Sequence, residues 1–190
     1  AELIHPYDDA RVIAGQGTAA LELVEQAGPF DAVIAPVSGG GLLSGIAIAT
    51  HGLDPGVRVL GGEPAHDADA HASLRRGALV TDIIPDTIAD GLRAQLCART
   101  YAILRAHAVE VLLAGEDGIV AAMRLVWDRL KLVVEPSGAV ALAALLAGRE
   151  SVAGLRIGVI LSGGNVDLDR LPWQEPRFQR GLPPAAGGIA

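Results

Sequence analysis

Cysteine is almost absent from this chain of 190 residues, in which Cys97 is the only one. A single thiol cannot form an intrachain disulfide, and it cannot supply a zinc site built from several cysteines. Sparse cysteine is typical of a reducing compartment, so we expect a cytoplasmic protein. Aromatic side chains make up only 3% of the residues. This scarcity excludes an aromatic-rich core and favours aliphatic helices packed on a parallel sheet.

Long apolar runs and basic clusters are missing as well. A membrane-spanning helix requires about 18 to 20 consecutive apolar residues. The nearest approach, residues 139–146, is soon interrupted by Gly148 and Arg149. The formal net charge of −7 argues against a nucleic-acid surface. We therefore expect neither a membrane nor a nucleic acid among the partners of this protein.

The chain does contain a regular alternation of apolar strands and helices. Hydrophobic residues make up 51% of it, which is enough for one well-packed domain. The pattern predicts buried strands at residues 31–37, 57–63, 109–113 and 155–161. Because helices are expected between them, the sequence predicts an α/β fold with a parallel, helix-covered sheet.

The two ends of the chain are predicted to be irregular. Residues 1–15 are expected to be extended, and the first helix is expected over residues 19–27, with Thr18 as its N-cap and Gly28 at its end. From Pro172 on, the chain is rich in Pro, Gly and Ala. We therefore interpret residues 172–190 as a flexible tail.

The most distinctive segment is the turn Ser-Gly-Gly-Gly-Leu at residues 38–42, between the first predicted strand and the next helix. Main-chain N–H groups at a helix start attract anions, and glycine lets a phosphate approach the main chain closely. The turn is thus a candidate phosphate cradle. The alternative is that glycine serves only the geometry of a tight turn.

Three polar or glycine-rich segments, residues 38–41, 63–69 and 162–165, each follow a predicted strand. Ligands of open parallel sheets collect at the carboxyl ends of the strands, which strengthens the cradle hypothesis. A dinucleotide fingerprint fails, because the third required glycine falls on Ser44. A Walker loop also fails, because the chain has no Lys-Ser or Lys-Thr pair.

Five motifs occur in a fixed order along the chain. They are Pro-Val-Ser-Gly-Gly-Gly-Leu at 36–42, Gly-Glu-Pro at 62–64, Ile-Ala-Asp-Gly at 88–91, Val-Glu-Pro-Ser at 134–137 and Leu-Ser-Gly-Gly-Asn at 161–165. In these motifs the chain resembles the serine/threonine dehydratases and serine racemases, enzymes of the fold-type II pyridoxal-phosphate group. The resemblance implies an incomplete fold of the tryptophan synthase beta-like type. Residues 1–171 would be the C-terminal part of its large cofactor-binding domain.

The resemblance also implies a site for pyridoxal 5'-phosphate. Main-chain N–H groups of residues 38–42 would hold its phosphate, and Ser162 would hydrogen-bond its pyridine nitrogen. Gly91 and Glu135 would line the ring and its pocket, although a carboxylate at a helix start such as Glu135 is also favoured by the helix dipole alone. The residues expected to bind the cofactor are Ser38, Gly39, Gly40, Gly41, Leu42, Gly91, Glu135 and Ser162.

Glu63, Asp67 and Asp69 match a divalent-cation site of the racemase-like branch, in which the middle position contributes its main-chain carbonyl. Oxygen ligands of this kind suit Mg²⁺ or Ca²⁺. The second interpretation is a solvated helix start with Asp67 as its N-cap and both nearby histidines exposed. The third is a transition-metal site in which His66 and His71 join the aspartates.

In this family the lysine that forms the Schiff base with the cofactor lies in an upstream Ser-x-Lys-x-Arg-Gly-Ala motif, which this chain does not contain. The single lysine, Lys131, cannot be mapped onto that motif, so no catalytic residue is assigned. A first residue, Ala1, that is not methionine also favours a fragment.

The resemblance implies that the intact protein is a homodimeric ammonia-lyase acting on a small amino acid. It would deaminate L-serine or L-threonine to a 2-oxo acid and ammonia. The alternatives are a serine or hydroxyaspartate racemase or lyase, or a catalytically inactive cofactor-binding module.

Overall fold

The computed structural model describes residues 2–175, and its centre is a sheet of four parallel strands. The strands are β1 (Ala32–Pro36), β2 (Arg58–Pro64), β3 (Glu110–Ala114) and β4 (Ile157–Val159). Their order across the sheet is β3-β2-β1-β4, and every neighbouring pair is parallel. The predicted parallel sheet is therefore confirmed, with strand ends that differ from the predicted ones by one residue, or by two at the short β4.

Six α-helices within the described residues pack around this sheet. They are α1 (Ala10–Ala27), α2 (Gly41–Leu53), α3 (Asp69–Arg76), α4 (Ala98–Ala106), α5 (Glu116–Leu130) and α6 (Pro136–Ala147). Short 3₁₀ turns occur at Ala65–Asp67, Asp90–Leu92, Arg149–Val152 and Pro172–Gln174. Among residues 2–175, no helix is both long and apolar enough to cross a membrane.

Strand β1 lies at the centre of the core, and all five of its residues are buried. Because side chains alternate along a strand, Val33 and Ala35 pack in one cluster with α2 while Ala32 and Ile34 pack in another with Ala141 of α6. Burial on both faces explains why β1 reads as an uninterrupted apolar run rather than as an alternating one.

Helix α1 begins at Ala10, nine residues earlier than predicted, which corrects both its start and its cap. Asp9 is the N-cap, and its carboxylate accepts a hydrogen bond from the N–H of Arg11 at 2.8 Å. Thr18 lies inside the helix, where its hydroxyl donates to the carbonyl of Gly15. Gly17 is required by packing, because a Cβ there would lie 2.8 Å from the carbonyl oxygen of Gly45 on α2. The close contact between α1 and α2 outweighs the low helix propensity of glycine.

The structure describes only the first residues of the segment predicted to be a tail. Pro172–Gln174 form a 3₁₀ turn in which Trp173 packs edge-on against Trp127 of α5, with ring centroids 5.2 Å apart. Residues 176–190 lie outside the described part of the chain, so a tail there stays a prediction, as does the domain boundary at residue 171.

Candidate cofactor site

The glycine loop, defined as residues 38–42, connects β1 to α2 at the carboxyl edge of the sheet. Its first residue is fixed by a two-way contact: the Ser38 hydroxyl donates to the carbonyl of Ala94 at 2.9 Å and accepts from the N–H of Ala94 at 3.0 Å. Because the hydroxyl is engaged with the protein, only the main chain of Ser38 is left for a ligand.

Each glycine of the loop has a packing reason of its own. Gly40 is the N-cap of α2 and has a φ of +89°, which an L side chain rarely adopts. A Cβ on Gly39 would overlap the ring of Tyr7, and one on Gly41 would lie 2.8 Å from Cβ of Tyr7. Turn geometry therefore explains the glycine at position 40, and packing on Tyr7 explains those at 39 and 41, while the phosphate cradle stays a prediction.

The loop also has the donors that an anion requires. Among the described residues, none accepts a hydrogen bond from the main-chain N–H groups of residues 39–43. These groups stand at the start of α2, where the helix dipole is positive, and the residues that carry them line a cavity of about 430 Å³. Free N–H donors at a positive helix end are the arrangement that binds phosphate elsewhere.

The same cavity brings the predicted cofactor residues together. Its lining includes every residue expected to contact the cofactor, namely Ser38, Gly39, Gly40, Gly41, Leu42, Gly91, Glu135 and Ser162. These residues come from four separate stretches of the chain, so their proximity is a property of the fold. What each does toward a cofactor remains a prediction.

Glu135 lies beside the Ser-Gly-Gly-Asn segment that contains Ser162. It precedes α6 as the N-cap, yet its carboxylate makes no capping hydrogen bond. Its main-chain N–H donates to the carbonyl of Gly163 at 3.0 Å, and its side chain packs so closely on Gly163 that a Cβ there would overlap it. Burial, together with the nearby charge of Asp90, raises the pKa of Glu135. The helix dipole would lower this pKa, so the dipole alone does not account for the carboxylate, which is half-buried at the cavity wall.

The acidic cluster, defined as Glu63, Asp67 and Asp69, follows the neighbouring strand β2. All three side chains are about 1% exposed. Glu63 accepts hydrogen bonds from the N–H groups of Ala70 and His71 at 2.8 and 2.9 Å, and Asp69 accepts one from the N–H of Leu96 at 2.9 Å. Among residues 2–175, both carboxylate oxygens of Asp67 are buried without a hydrogen-bond partner.

Burial dominates the electrostatics of the acidic cluster. It raises the pKa of Glu63 to about 8, and it raises the pKa values of Asp67 and Asp69 to about 6. Mutual repulsion adds to the shifts of Glu63 and Asp69, since carboxylates close together disfavour each other's charge. Buried carboxylates in this state are stabilised when a cation joins them.

Two alternatives for this segment prove wrong. Asp67 is not an N-cap, because Ala68 precedes α3 and Asp67 is buried in the 3₁₀ turn before it. His66 is exposed, whereas Nδ1 of His71 lies 2.8 Å from the carbonyl oxygen of Val111 on β3. Within the described part of the chain, no three His, Cys, Asp or Glu side chains, those of the acidic cluster included, stand close enough to form a ready-made metal centre. The geometry therefore gives no support to a histidine-containing transition-metal site, and a cation at the acidic cluster stays a prediction.

The cavity contains residues that the sequence patterns did not reveal. Tyr7 packs on the glycine loop, and Ser137 accepts a hydrogen bond from the N–H of Gly91 at 2.9 Å. Ser137 belongs to the Val-Glu-Pro-Ser motif, which could have marked it, whereas nothing in the sequence placed Tyr7 near Gly39. Lys131 does not take part in this site. It is the C-cap of α5, its side chain is 77% exposed, and it does not line the cavity.

Comparisons with known proteins identify the family of this chain. The chain matches the family model "Pyridoxal-phosphate dependent enzyme" over residues 1–163. It is 48% identical to the beta-hydroxyaspartate dehydratase of Paracoccus denitrificans over 90% of its own length and 55% of the relative's. Maize serine racemase superposes with a TM-score of 0.85 at 44% identity, covering 90% of this chain and 54% of that one. A threonine deaminase from tomato, Solanum lycopersicum, gives a TM-score of 0.82 at 36% identity, covering 87% and 47%.

The chain thus spans about half the length of the relatives it matches. The match to the family model nevertheless extends through the four strands and the six α-helices, and it includes the glycine loop, the acidic cluster and Ser162. This chain belongs to the family of pyridoxal-phosphate dependent enzymes.

Proposed function

We propose that this chain is the part of an amino-acid ammonia-lyase that binds the phosphate and the pyridine ring of pyridoxal 5'-phosphate. The intact enzyme would deaminate L-serine or L-threonine to a 2-oxo acid and ammonia. The observation that carries the proposal is that the main-chain N–H groups of the glycine loop have no acceptor among the described residues, and that the loop lines the same cavity as Ser162. Family membership supplies the identity of the anion.

The roles of the residues follow from their chemistry. The cofactor, when bound, supplies an electron sink for loss of the α-proton and the β-hydroxyl. The N–H groups of the glycine loop bind its phosphate. Ser162 hydrogen-bonds the pyridine nitrogen, and a hydroxyl is a weaker partner than a carboxylate, so it does not enforce protonation of the ring. Such an environment favours elimination or racemisation over transamination.

Moving the α-proton requires a base that this sequence does not provide. In the family that base is the cofactor's lysine, and Lys131 is solvent-exposed at the end of α5. We therefore expect the 190-residue chain to bind the cofactor without turning over substrate. The complete enzyme would add the lysine from a further segment and would assemble as a homodimer.

The names of the relatives support a second candidate reaction as well as they support deamination of L-serine or L-threonine. One of the similar proteins is named a beta-hydroxyaspartate dehydratase, and several are named serine racemases. A serine or hydroxyaspartate racemase or lyase is therefore the second candidate. Each of these reactions begins with loss of the same α-proton, and the residues of this half of the site serve all of them.

We also propose that the acidic cluster holds Mg²⁺ or Ca²⁺. The unpartnered, buried carboxylate of Asp67 fits a hard cation, which is satisfied by oxygen ligands and would offset the mutual repulsion of the three acids. Glu63, Asp69 and the main-chain carbonyl or carboxylate of Asp67 would be the protein ligands. The cation would then stabilise the start of α3 and, through the contact between Asp69 and Leu96, the segment beside the glycine loop.

Binding is tested on the chain itself by equilibrium dialysis with pyridoxal 5'-phosphate and, separately, with inorganic phosphate. We expect Ser162→Ala to weaken cofactor binding roughly fivefold and to leave phosphate binding unchanged, because the lost hydrogen bond reaches only the ring. Ser151→Ala is the matched control, since Ser151 is exposed, lies outside the cavity lining and uses its hydroxyl only to donate to the carbonyl of Gly148. Absence of cofactor binding to the parent chain would overturn the proposal.

The reaction is tested on the intact protein. We expect ammonia and a 2-oxo acid from L-serine or L-threonine. Release from L-threo-3-hydroxyaspartate alone, or formation of D-serine, would establish the second candidate instead. No product from any of these amino acids would leave only the inactive cofactor-binding module.

A further inference from the structure

Part of the wall of the cavity that Ser162 also lines is a turn whose position depends on its main chain. Asp90–Leu92 form a 3₁₀ turn, and Gly91 at its centre is exposed to the cavity. Glycine offers a flat surface but has no side chain with which to lock itself in place. Something else must therefore fix Gly91.

Ser137 provides this contact from the second position of α6. Its side chain is 3% exposed, and its hydroxyl accepts the N–H of Gly91 at 2.9 Å while lying 3.5 Å from Oδ1 of Asp90. A Cβ on Gly91 would lie 3.1 Å from the Ser137 hydroxyl oxygen, so the two residues are in direct contact. One buried hydroxyl thus connects the Asp90–Leu92 turn to α6.

The same first turn of α6 holds the other side of the cavity. Glu135 donates its N–H to the carbonyl of Gly163, and Gly138 packs so closely that a Cβ there would lie 2.7 Å from that carbonyl oxygen. Helix α6 is buried along most of its length, including every residue from Pro136 to Ala141. It therefore forms a rigid base from which both the Gly91 wall and the Ser162 segment extend.

We propose that Ser137 is a positioning residue that holds Gly91 against the first turn of α6, and hence fixes the part of the cavity wall on which a flat heteroaromatic ring would lie. This inference rests on the proposed cofactor site. Ser137 lines the cavity itself, and its hydroxyl bonds the Gly91 turn, whereas the glycine loop at the phosphate end is fastened separately by the Ser38–Ala94 contact. Loss of the Ser137 hydroxyl should therefore affect ring binding and spare phosphate binding.

The test compares two probes on one set of variants. Ser137→Ala is expected to weaken pyridoxal 5'-phosphate binding about fivefold and to change inorganic phosphate binding by less than about twofold. Ser137→Cys, which keeps the size but accepts hydrogen bonds weakly, should give a smaller loss of the same kind. Ser137→Thr, which restores the hydroxyl, should recover cofactor binding.

Ser73→Ala is the matched control, because Ser73 is fully buried and also accepts one main-chain N–H, that of Val80 at 2.9 Å, outside the cavity lining. It should cost similar stability and leave the binding of both probes unchanged. Equal weakening of both probes in Ser137→Ala, or equal effects in Ser73→Ala, would show a merely structural role and overturn the inference. Failure of the parent chain to bind the cofactor would instead overturn the proposed function.

Discussion

The glycine loop and the acidic cluster follow neighbouring strands at the same edge of the sheet. Only the loop is held in its conformation by contacts within the protein. In the loop, the Ser38 hydroxyl is paired with Ala94 and each glycine is required by a packing contact. In the cluster, Asp67 is buried with no hydrogen-bond partner among the described residues, and all three acids have raised pKa values. The loop is therefore preformed, whereas the cluster is strained until a cation or protons reach it.

Leu96 connects the two regions. Its N–H donates to Asp69 in the cluster, and a Cβ on Gly40 in the loop would lie 2.7 Å from its Cδ2 atom. A change in the cluster can therefore reach the loop through one residue. The comparison consequently predicts stability losses from changes in the loop and stability gains, or cation dependence, from changes in the cluster.

The largest expected effect is that of Gly40→Ala. The variant must adopt a φ of +89° and place its Cβ 2.7 Å from Leu96 and 2.8 Å from the Cβ of Thr100. We expect a loss of about 3 kcal/mol in the free energy of unfolding, from backbone strain and overpacking together. Urea denaturation measures this loss.

Gly77→Ala is the control for backbone strain alone. Gly77 has a φ of +74° with nothing within 4 Å of the Cβ position, so we expect a loss of only about 1 kcal/mol. Equal losses in the two variants would mean that Leu96 and Thr100 give way without cost. The loop would then not be preformed by packing.

The dependence of stability on pH is expected to come next in size. Burial raises the pKa values of Asp67 and Asp69 to about 6 and that of Glu63 to about 8. The native chain then holds protons that the unfolded chain has lost, so this stability is present below about pH 4 and is lost as pH rises through about 6 to 8. In EDTA we expect the free energy of unfolding to fall by about 2 kcal/mol between about pH 5 and 8.5.

Urea denaturation at several pH values in this range measures that slope. Burial and the neighbouring His51 lower the pKa of His107, which contributes the opposite trend below about pH 6.5. The variant His107→Gln removes that contribution and should make the fall with rising pH steeper. Stability that rises with pH across the whole range in this variant would show that the cluster is not strained.

Asp67→Asn should change the free energy of unfolding by a smaller amount. The change should be stabilising, whereas most substitutions of buried residues are destabilising. Removing the unpartnered charge is expected to raise the free energy of unfolding by about 1 kcal/mol in EDTA at about pH 8. Mg²⁺ or Ca²⁺ should raise the melting temperature of the parent chain and have less effect on the variant. The exposed Asp117→Asn serves as control. A destabilised Asp67→Asn with an unchanged cation response would refute the cation site.

The sequence predicted the parallel sheet and the glycine loop because both are local patterns of apolar and glycine residues. It could not predict why each glycine is needed, because Tyr7 and Thr100 meet the loop only in the folded chain. The start of α1 was missed for the same reason, since Gly17 looks like a helix breaker until α2 is packed against it. The buried state of Asp67 was also missed, because a polar residue after a strand normally faces solvent.

The smallest expected effect separates the two regions most directly. Ser38→Ala removes a hydroxyl that both donates to and accepts from Ala94, so we expect a loss of about 1 kcal/mol in the free energy of unfolding. Phosphate binding should weaken less than about threefold, because the hydroxyl is already engaged and the loop binds an anion through main-chain N–H groups. Loss of phosphate binding without loss of stability would mean instead that the Ser38 hydroxyl binds the phosphate directly. The loop would then depend on its anion in the same way as the cluster depends on its cation.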